Sequence, residues 1–139
     1  MNKTFLMAWA AVFIIWMAGS FLVHGMLLHA DYAKLPGLFR SENEAQQYFP
    51  LTIGAHVIMA GVFTWIYSRA ADARPWIGQG LRFGAAVSLL TVVPWYTIYY
   101  VVQPMPGIHV IKQIVFGGIL VLILAAVVAF AYRDSGNRK

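Results

Sequence analysis

Long apolar stretches, separated by three short polar segments, are the dominant pattern of this chain. Four of them have the ~20 mostly apolar residues that a helix needs to cross a ~30 Å hydrocarbon layer, and they cover residues 5–29, 51–68, 81–102 and 107–132. Only helices and closed barrels can satisfy their backbone hydrogen bonds inside a bilayer. None of the four stretches alternates polar and apolar residues as a barrel strand does, so helices are predicted. The pattern predicts an all-α membrane protein with a single four-helix transmembrane domain over residues 1–139.

The polar segments predict how these helices are joined. In the first connection, residues 30–50, Pro36-Gly37 indicates a turn. Ser41 and Glu44 have the spacing of a capping box, which predicts a short helix from about Glu42 to Gln47 in the membrane interface. The third connection, residues 103–107, is tight and rich in proline, so the last two helices should form an antiparallel hairpin. These lengths predict an up-down-up-down bundle.

Charge distribution predicts the orientation of the bundle. The formal net charge is +5, but the basic residues lie near the ends of the apolar stretches and not on a patch with interleaved aromatics, so nucleic acid is not an expected partner. One side carries Lys3, Arg69, Arg74, Arg82, Arg133, Arg138 and Lys139. On the other side, the first connection balances its basic residues with acidic ones. The positive-inside rule therefore places both termini in the cytoplasm.

The histidines are the main candidates for a functional site. With 1.5 Å of rise per residue, His24, His56 and His109 fall at similar depth in the outer half of three different helices. Ionisable groups in a membrane normally face the protein interior, so we expect one histidine-lined pocket. Imidazoles bind transition metals and haem, which makes both candidate cofactors. The alternative is hydrogen bonding between helices, with Ser20, Thr52 and Gln113 as neighbours. His29 is expected at the interface.

Residues beside the histidines extend the candidate site. Lys112 lies one turn from His109, and it either extends to the membrane boundary or turns inward and gives the pocket a positive charge suited to a carboxylate or phosphate. Pro94 should kink the third helix by leaving the Leu90 carbonyl without its usual donor. Beyond the kink, Tyr96 and Tyr99 belong either to the wall of the pocket or to an interfacial aromatic belt.

The absence of several residue types limits the classes of function that the chain can have. No Asp or Glu lies within the apolar stretches and the chain has no cysteine, so paired carboxylates and thiol chemistry are excluded there and an enzyme is not expected. We expect a binding or electron-transfer module whose histidine-lined pocket lies near the periplasmic face. The alternative is an accessory subunit of a larger membrane complex, without a ligand of its own. Membrane lipid is the expected partner, and Gly117-Gly118 also suits a homo-oligomer interface.

Several segments resemble a family of small bacterial inner-membrane proteins with four helices and no characterised function. They are residues 23–36, VHGMLLHADYAKLP, together with Pro75-Trp76 and VQPMP at 102–106. The resemblance extends over nearly the whole chain and implies a multi-pass location in the bacterial inner membrane, without an activity. Transmembrane b-type cytochromes resemble the chain only in having four helices with scattered histidines.

Overall fold

Helices account for nearly all of the structure. The computed structural model describes residues 2–71 and 75–134, and this part of the chain contains helices and no strands. In chain order the elements are α1 (Lys3–Ser20), a first π-helical segment (Phe21–Leu27), α2 (His29–Tyr32), α3 (Glu42–Gln47), α4 (Phe49–Ala70), α5 (Trp76–Val87), a second π-helical segment (Ser88–Val92), α6 (Val93–Val102) and α7 (Gly107–Ala131).

Within residues 2–71 and 75–134, four helices are long and apolar enough to cross a membrane. We name them TM1 (Lys3–Leu27), TM2 (Phe49–Ala70), TM3 (Trp76–Val102) and TM4 (Gly107–Ala131). Large apolar side chains cover their outer surfaces, and on TM3 Leu90 and Val101 are 77% and 79% exposed. Such surfaces suit lipid and not water. The predicted all-α class, with four helices long and apolar enough to span a membrane, is confirmed for the described residues.

The second connection is shorter than expected because TM3 begins at Trp76 and not near residue 81. The Trp76 ring packs edge-on against Phe130 of TM4, at 5.5 Å between centroids. The Gln79 side chain accepts a hydrogen bond from the Tyr67 hydroxyl at 3.0 Å and donates one to the Ala70 carbonyl at 2.9 Å. This tertiary packing extends the helix into a segment whose mixed composition indicates a turn. Arg74, Arg138 and Lys139 lie outside the described residues.

TM4 packs against both TM1 and TM3, whereas TM2 packs mainly on TM1. Small residues permit the close approach of TM3 to TM4. A Cβ atom added at Gly80 would lie 2.8 Å from the Cβ of Ala129, and one added at Gly84 would lie 2.8 Å from the Cβ of Ala125. Because the numbers rise along TM3 while they fall along TM4, these two helices are antiparallel.

The apolar core lies toward one end of the four helices. It consists of Ala8, Val12, Ala60, Phe63, Tyr67, Val121, Leu124, Ala125, Val128, Ala129 and Tyr132. These residues come from the first part of TM1, the last parts of TM2 and TM4, and the segment just after TM4. The opposite end of the helices is therefore the place where polar side chains can meet without disrupting the core.

TM1 and TM3 each contain a widened, π-helical turn, in which the backbone hydrogen bond spans five residues instead of four. In TM3 the Val93 N–H bonds the Ser88 carbonyl, five residues back, directly before Pro94. The predicted disturbance at Pro94 thus takes the form of a π-helical turn, because proline has no N–H to continue the regular ladder. TM1 has a second widened turn without a proline, in which the Leu28 N–H bonds the Val23 carbonyl at 2.9 Å. The sequence does not indicate this one.

The first connection contains the predicted short helix. Ser41 caps α3, since its side chain accepts from the Glu44 N–H while the Glu44 carboxylate accepts from the Ser41 N–H at 3.1 Å. These hydrogen bonds from Ser41 lower the pKa of Glu44 below its ordinary value. Gly37 has φ of +82°, a left-handed conformation that suits glycine at the predicted turn. The helix and its capping box are confirmed.

Candidate functional site

A polar cluster forms where the end of TM1, α2 and the beginning of TM4 meet. The Tyr32 hydroxyl lies 2.5 Å from Nδ1 of His24, and it accepts a hydrogen bond from Nε2 of Gln113 at 3.3 Å. A phenol has one hydrogen, and Gln113 occupies an acceptor position on the oxygen. In the His24 tautomer that leaves Nδ1 unprotonated, the Tyr32 O–H donates to this nitrogen, so that both groups are satisfied. Burial raises the pKa of Tyr32, which keeps this donor protonated.

The fold of the TM1 end explains how Tyr32 reaches both partners. After the widened turn, the short helix α2 continues past the end of TM1. His24, Leu28 and Tyr32 are spaced by four residues, and Leu28 is completely buried. The His24 and Tyr32 rings stack, with 6.0 Å between centroids. Burial of Leu28 thus anchors the segment and turns Tyr32 toward TM4.

An ion pair joins the same two elements. Nζ of Lys112 donates to Oδ2 of Asp31 at 2.7 Å, while Lys34 lies 3.9 Å from Oδ1. The hydrogen bond from Lys112 lowers the pKa of Asp31, so this carboxylate is ionised at neutral pH. Lys112 is 42% exposed and bonded to Asp31, so both expectations for this residue, extension to the membrane boundary and an inward turn, stay predictions. The Asp31 carboxylate comes from the chain itself, and the positive charge of Lys112 is already compensated.

His109 and Gln113 carry the unsatisfied polar atoms of the cluster. His109 is 2% exposed and Gln113 is 4% exposed. Among the described residues, neither ring nitrogen of His109 has a hydrogen-bond partner, and Oε1 of Gln113 has none either. The Tyr32 ring packs on His109 at 4.8 Å between centroids. An unpaired buried polar group costs about 1–3 kcal/mol, so three such atoms within one turn require an explanation.

His56 bonds to other groups and does not join this network. Its Nδ1 donates to the Thr52 carbonyl at 2.8 Å, which leaves Nε2 to accept from the Ser20 hydroxyl at 3.1 Å. Both nitrogens are therefore engaged, one within TM2 and one across to TM1. This arrangement matches the alternative expectation of hydrogen bonding between helices, with Ser20 and Thr52 as the neighbours.

The predicted metal or haem site of His24, His56 and His109 gains no support from these positions. Within residues 2–71 and 75–134, no three histidine or acidic side chains are grouped so that they could hold a metal ion. Binding through His56 would break two hydrogen bonds, and binding through Nδ1 of His24 would displace Tyr32. A shared cofactor on these histidines stays a prediction.

The remaining candidates lie around the cluster. Tyr96 is half-buried, and its ring edge lies 3.7 Å from the position of a Cβ added at Gly117 of TM4. Tyr99 is half-buried against Trp95, with 5.4 Å between ring centroids. His29 is exposed at 58% and lies 3.8 Å from a carboxylate oxygen of Glu42.

Asp31 and Tyr32 are the members that sequence reasoning missed. Both fall in the first connection, where residue composition predicts a loop. The four-residue spacing of His24, Leu28 and Tyr32 is the signal that could have found Tyr32, because it continues one helical face beyond the apolar stretch. No comparable signal pairs Asp31 with Lys112, which is 81 residues away in the chain.

Two apolar grooves run along TM1. One, between TM1 and TM2, has a volume of about 280 Å³ and is lined by Leu6, Trp9, Ala10, Phe13 and Val57. The other, between TM1 and TM4, has a volume of about 370 Å³, and its lining includes Ala18, Leu22, Val23, Phe116, Leu120 and Ile123. The second groove ends beside the polar cluster, because Val23 precedes His24 and Phe116 lies three residues after Gln113.

Comparison of the chain with protein-family models, with curated proteins and with solved structures finds no match. The function therefore has to be argued from the residues of the site.

Proposed function

We propose that this protein is a binding module of the bacterial inner membrane that holds a small amphipathic ligand at the cluster of Tyr32, His109 and Gln113. The unsatisfied atoms of His109 and Gln113 carry the proposal. A neutral imidazole has one N–H donor and one acceptor nitrogen, and Oε1 of Gln113 is a further acceptor. A ligand that pairs with them recovers part of the free energy lost on their burial.

The proposed orientation has both termini in the cytoplasm and the cluster near the periplasmic face of an up-down-up-down bundle. Lys3, Arg69, Arg82 and Arg133 support it, since each lies at or near the ends of the spans that are remote from the cluster. The chain has no cysteine, so single-cysteine variants can test it. An impermeant thiol reagent applied to intact spheroplasts should label Asn43→Cys and spare Lys3→Cys. The reverse pattern would contradict the orientation.

The competing proposal is an accessory subunit whose polar residues only hold its helices together. The bonds of His56 favour it, because both ring nitrogens are satisfied within the protein. So does the hydrogen bond from Nε1 of Trp9 in TM1 to the Val57 carbonyl in TM2, at 2.9 Å. These contacts account for the TM1–TM2 pair, but they leave His109 and Gln113 unexplained. We therefore favour the binding module.

Native mass spectrometry of the protein purified in mild detergent tests the two proposals. We expect a retained small molecule on the natural protein and on His29→Leu, an exposed histidine outside the cluster, and its loss from His109→Leu. The latter variant removes unsatisfied groups, so it should unfold no more readily than the natural protein. Absorption spectra and elemental analysis of the same sample test for haem and metal. Absence of any ligand, together with reproducible co-purification of a larger complex, would favour the accessory subunit.

A further inference from the structure

The apolar groove between TM1 and TM4 leads along TM4 toward the polar cluster. Along TM4, the groove residues Ile123, Leu120 and Phe116 follow each other at spacings of three and four. Gln113 and His109 continue the same helical spacing toward the outer end of TM4. A long molecule can therefore lie with an apolar part in the groove and a polar part beside the unsatisfied atoms.

Electrostatics indicates that the polar part is neutral. Among the described residues, two cations lie beside Asp31: Lys112, which its carboxylate compensates at 2.7 Å, and Lys34 at 3.9 Å, whose side chain is 76% exposed and therefore solvated by water. An anionic head would have to displace Asp31, and a cationic head would find no other carboxylate of the described residues in the cluster. Burial of an uncompensated charge is far more costly than burial of a neutral polar group. The head therefore binds through hydrogen bonds.

The hydrogen bonds of Tyr32 show which neutral group fits. This phenol donates to one imidazole, His24, and accepts from one amide, Gln113. His109 and Oε1 of Gln113 form a second pair of imidazole and amide, and this pair is unsatisfied. A phenolic hydroxyl can accept from the His109 N–H and donate to Oε1 of Gln113. The Tyr32 ring packs on His109, and Phe116, which lines the groove, lies three residues from Gln113 along TM4, so both rings suit an aromatic head.

We propose that the site takes a single-tailed lipid with a phenolic hydroxyl head, the chemistry of a membrane hydroquinone. The tail lies in the TM1–TM4 groove and the hydroxyl lies between His109 and Gln113. This inference rests on the proposed binding function and specifies its ligand. In a bilayer the tail is already out of water, so the groove positions the ligand while the hydrogen bonds of the head supply the affinity.

The donor and acceptor pattern predicts discrimination between oxidation states. A quinone carbonyl can accept from the His109 N–H, but it has no hydrogen to donate to Oε1 of Gln113. That oxygen would remain buried and unpaired. A site built to bond a hydroxyl rejects an analogue without it, so we expect the hydroquinone to bind at least about tenfold more tightly than the quinone.

Binding to the full chain in nanodiscs tests the proposal. Radiolabelled decylhydroquinone is the probe under reducing, anaerobic conditions, and protein-free nanodiscs give the partitioning background. Decylquinone, decanol and hydroquinone without a tail are the competitors. Ala18→Phe fills the TM1–TM4 groove. Ala10→Phe makes the same change on the same helix in the other groove and is the matched control. Elution profiles show whether each variant folds.

We expect Ala18→Phe to weaken decylhydroquinone binding about tenfold and Ala10→Phe to leave it within about twofold, the scatter of a surface substitution. Gln113→Leu should abolish the preference for the reduced form. Equal binding of decylquinone or decanol to the natural protein would overturn the assignment of the head. Tailless hydroquinone competing as well as the decyl compound would overturn the role of the groove.

The failure of this inference is distinguishable from failure of the binding function. If no probe binds but mass spectrometry finds a retained molecule that depends on His109, the hydroquinone assignment is wrong and the binding module stands. If no probe binds and no molecule is retained, both proposals are wrong.

Discussion

Replacement of Tyr32 by phenylalanine isolates the hydrogen bonds that hold the polar cluster together. The substitution removes one oxygen atom and keeps the ring, which packs on His109 and on Phe39 at 4.8 and 4.7 Å between centroids. No large cavity is created, so packing should change little. The Gln113 amide and Nδ1 of His24 both lose their partner.

Burial determines the expected magnitude. Gln113 is 4% exposed, so its amide loses the hydrogen bond without access to water, at about 1–3 kcal/mol. His24 is only half-buried, and its nitrogen should lose no more than the ordinary net value of about 0.5–1.5 kcal/mol. We therefore expect Tyr32→Phe to lower the free energy of unfolding by about 2–4 kcal/mol.

A double-mutant cycle separates this mechanism from a general disturbance of the connection. If the cost comes from the unpaired amide, Tyr32→Phe combined with Gln113→Leu should recover about 1–2 kcal/mol relative to the sum of the single variants. The assay is reversible unfolding in mixed detergent micelles, followed by tryptophan fluorescence and circular dichroism.

Tyr48→Phe is the matched control. Tyr48 is exposed in the same connection, and its ring contact with Arg40 does not need the hydroxyl. Its stability should stay within about 0.5 kcal/mol of the natural protein. A cost for Tyr32→Phe that is equally small, or a double variant that is strictly additive, would refute the role given to Tyr32.

Three further predictions concern the helix packing, the cap and the ion pair. Gly80→Ala should destabilise the protein by about 1–3 kcal/mol, because the new Cβ would lie 2.9 Å from a backbone carbonyl oxygen of TM4. Gly78→Ala is the control, since a Cβ at Gly78 would have nothing within 4 Å. It should stabilise the protein by up to about 1 kcal/mol in the same unfolding assay. Ser41→Ala should cost α3 about 0.5–2 kcal/mol, measured as faster amide hydrogen exchange in Glu42–Gln47 with TM4 exchange unchanged. Because the hydrogen bond from Lys112 lowers the pKa of Asp31, the ion pair should stabilise the protein fully above the ordinary aspartate value of about 3.9 and be lost as the pH falls through the lower folded-state pKa. The stability difference from Asp31→Asn should vanish over that interval in unfolding measured from neutral to acidic pH, and a difference independent of pH would contradict the assignment.

Local chemistry made some features of the chain predictable. The helix α3 has the predicted bounds because Ser41 and Glu44 satisfy each other's backbone donors within a single turn. The missing N–H of Pro94 is also a local cause, and it predicts a kink in TM3; the π-helical form of the turn before Pro94 is seen only in the structure. The early start of TM3 at Trp76 was not predictable in this way, since it depends on contacts with TM2 and TM4.

The histidines show the same limit within the candidate site. Their depth follows from their position along each helix, and the sequence predicts it. Their hydrogen-bond partners depend on helix rotation and on the widened turn in TM1. As a result His56 bonds to Ser20, whereas His24 bonds to Tyr32. The similar level of three histidines along their helices therefore does not by itself show whether they share one set of ligands.

The sequence by itself determined the class of this protein, because a bilayer core allows backbone only as helices or closed barrels and four long apolar stretches leave no room for another arrangement. It also determined the cap of the short helix α3, where all the interacting groups are neighbours in the chain. Only the tertiary structure decided that Asp31 neutralises Lys112 and that the ring nitrogens of His109 and Oε1 of Gln113 are buried without a hydrogen-bond partner among the described residues. Those properties depend on which faces of TM1, α2 and TM4 meet, and the balance of side-chain packing across helices sets that rotation.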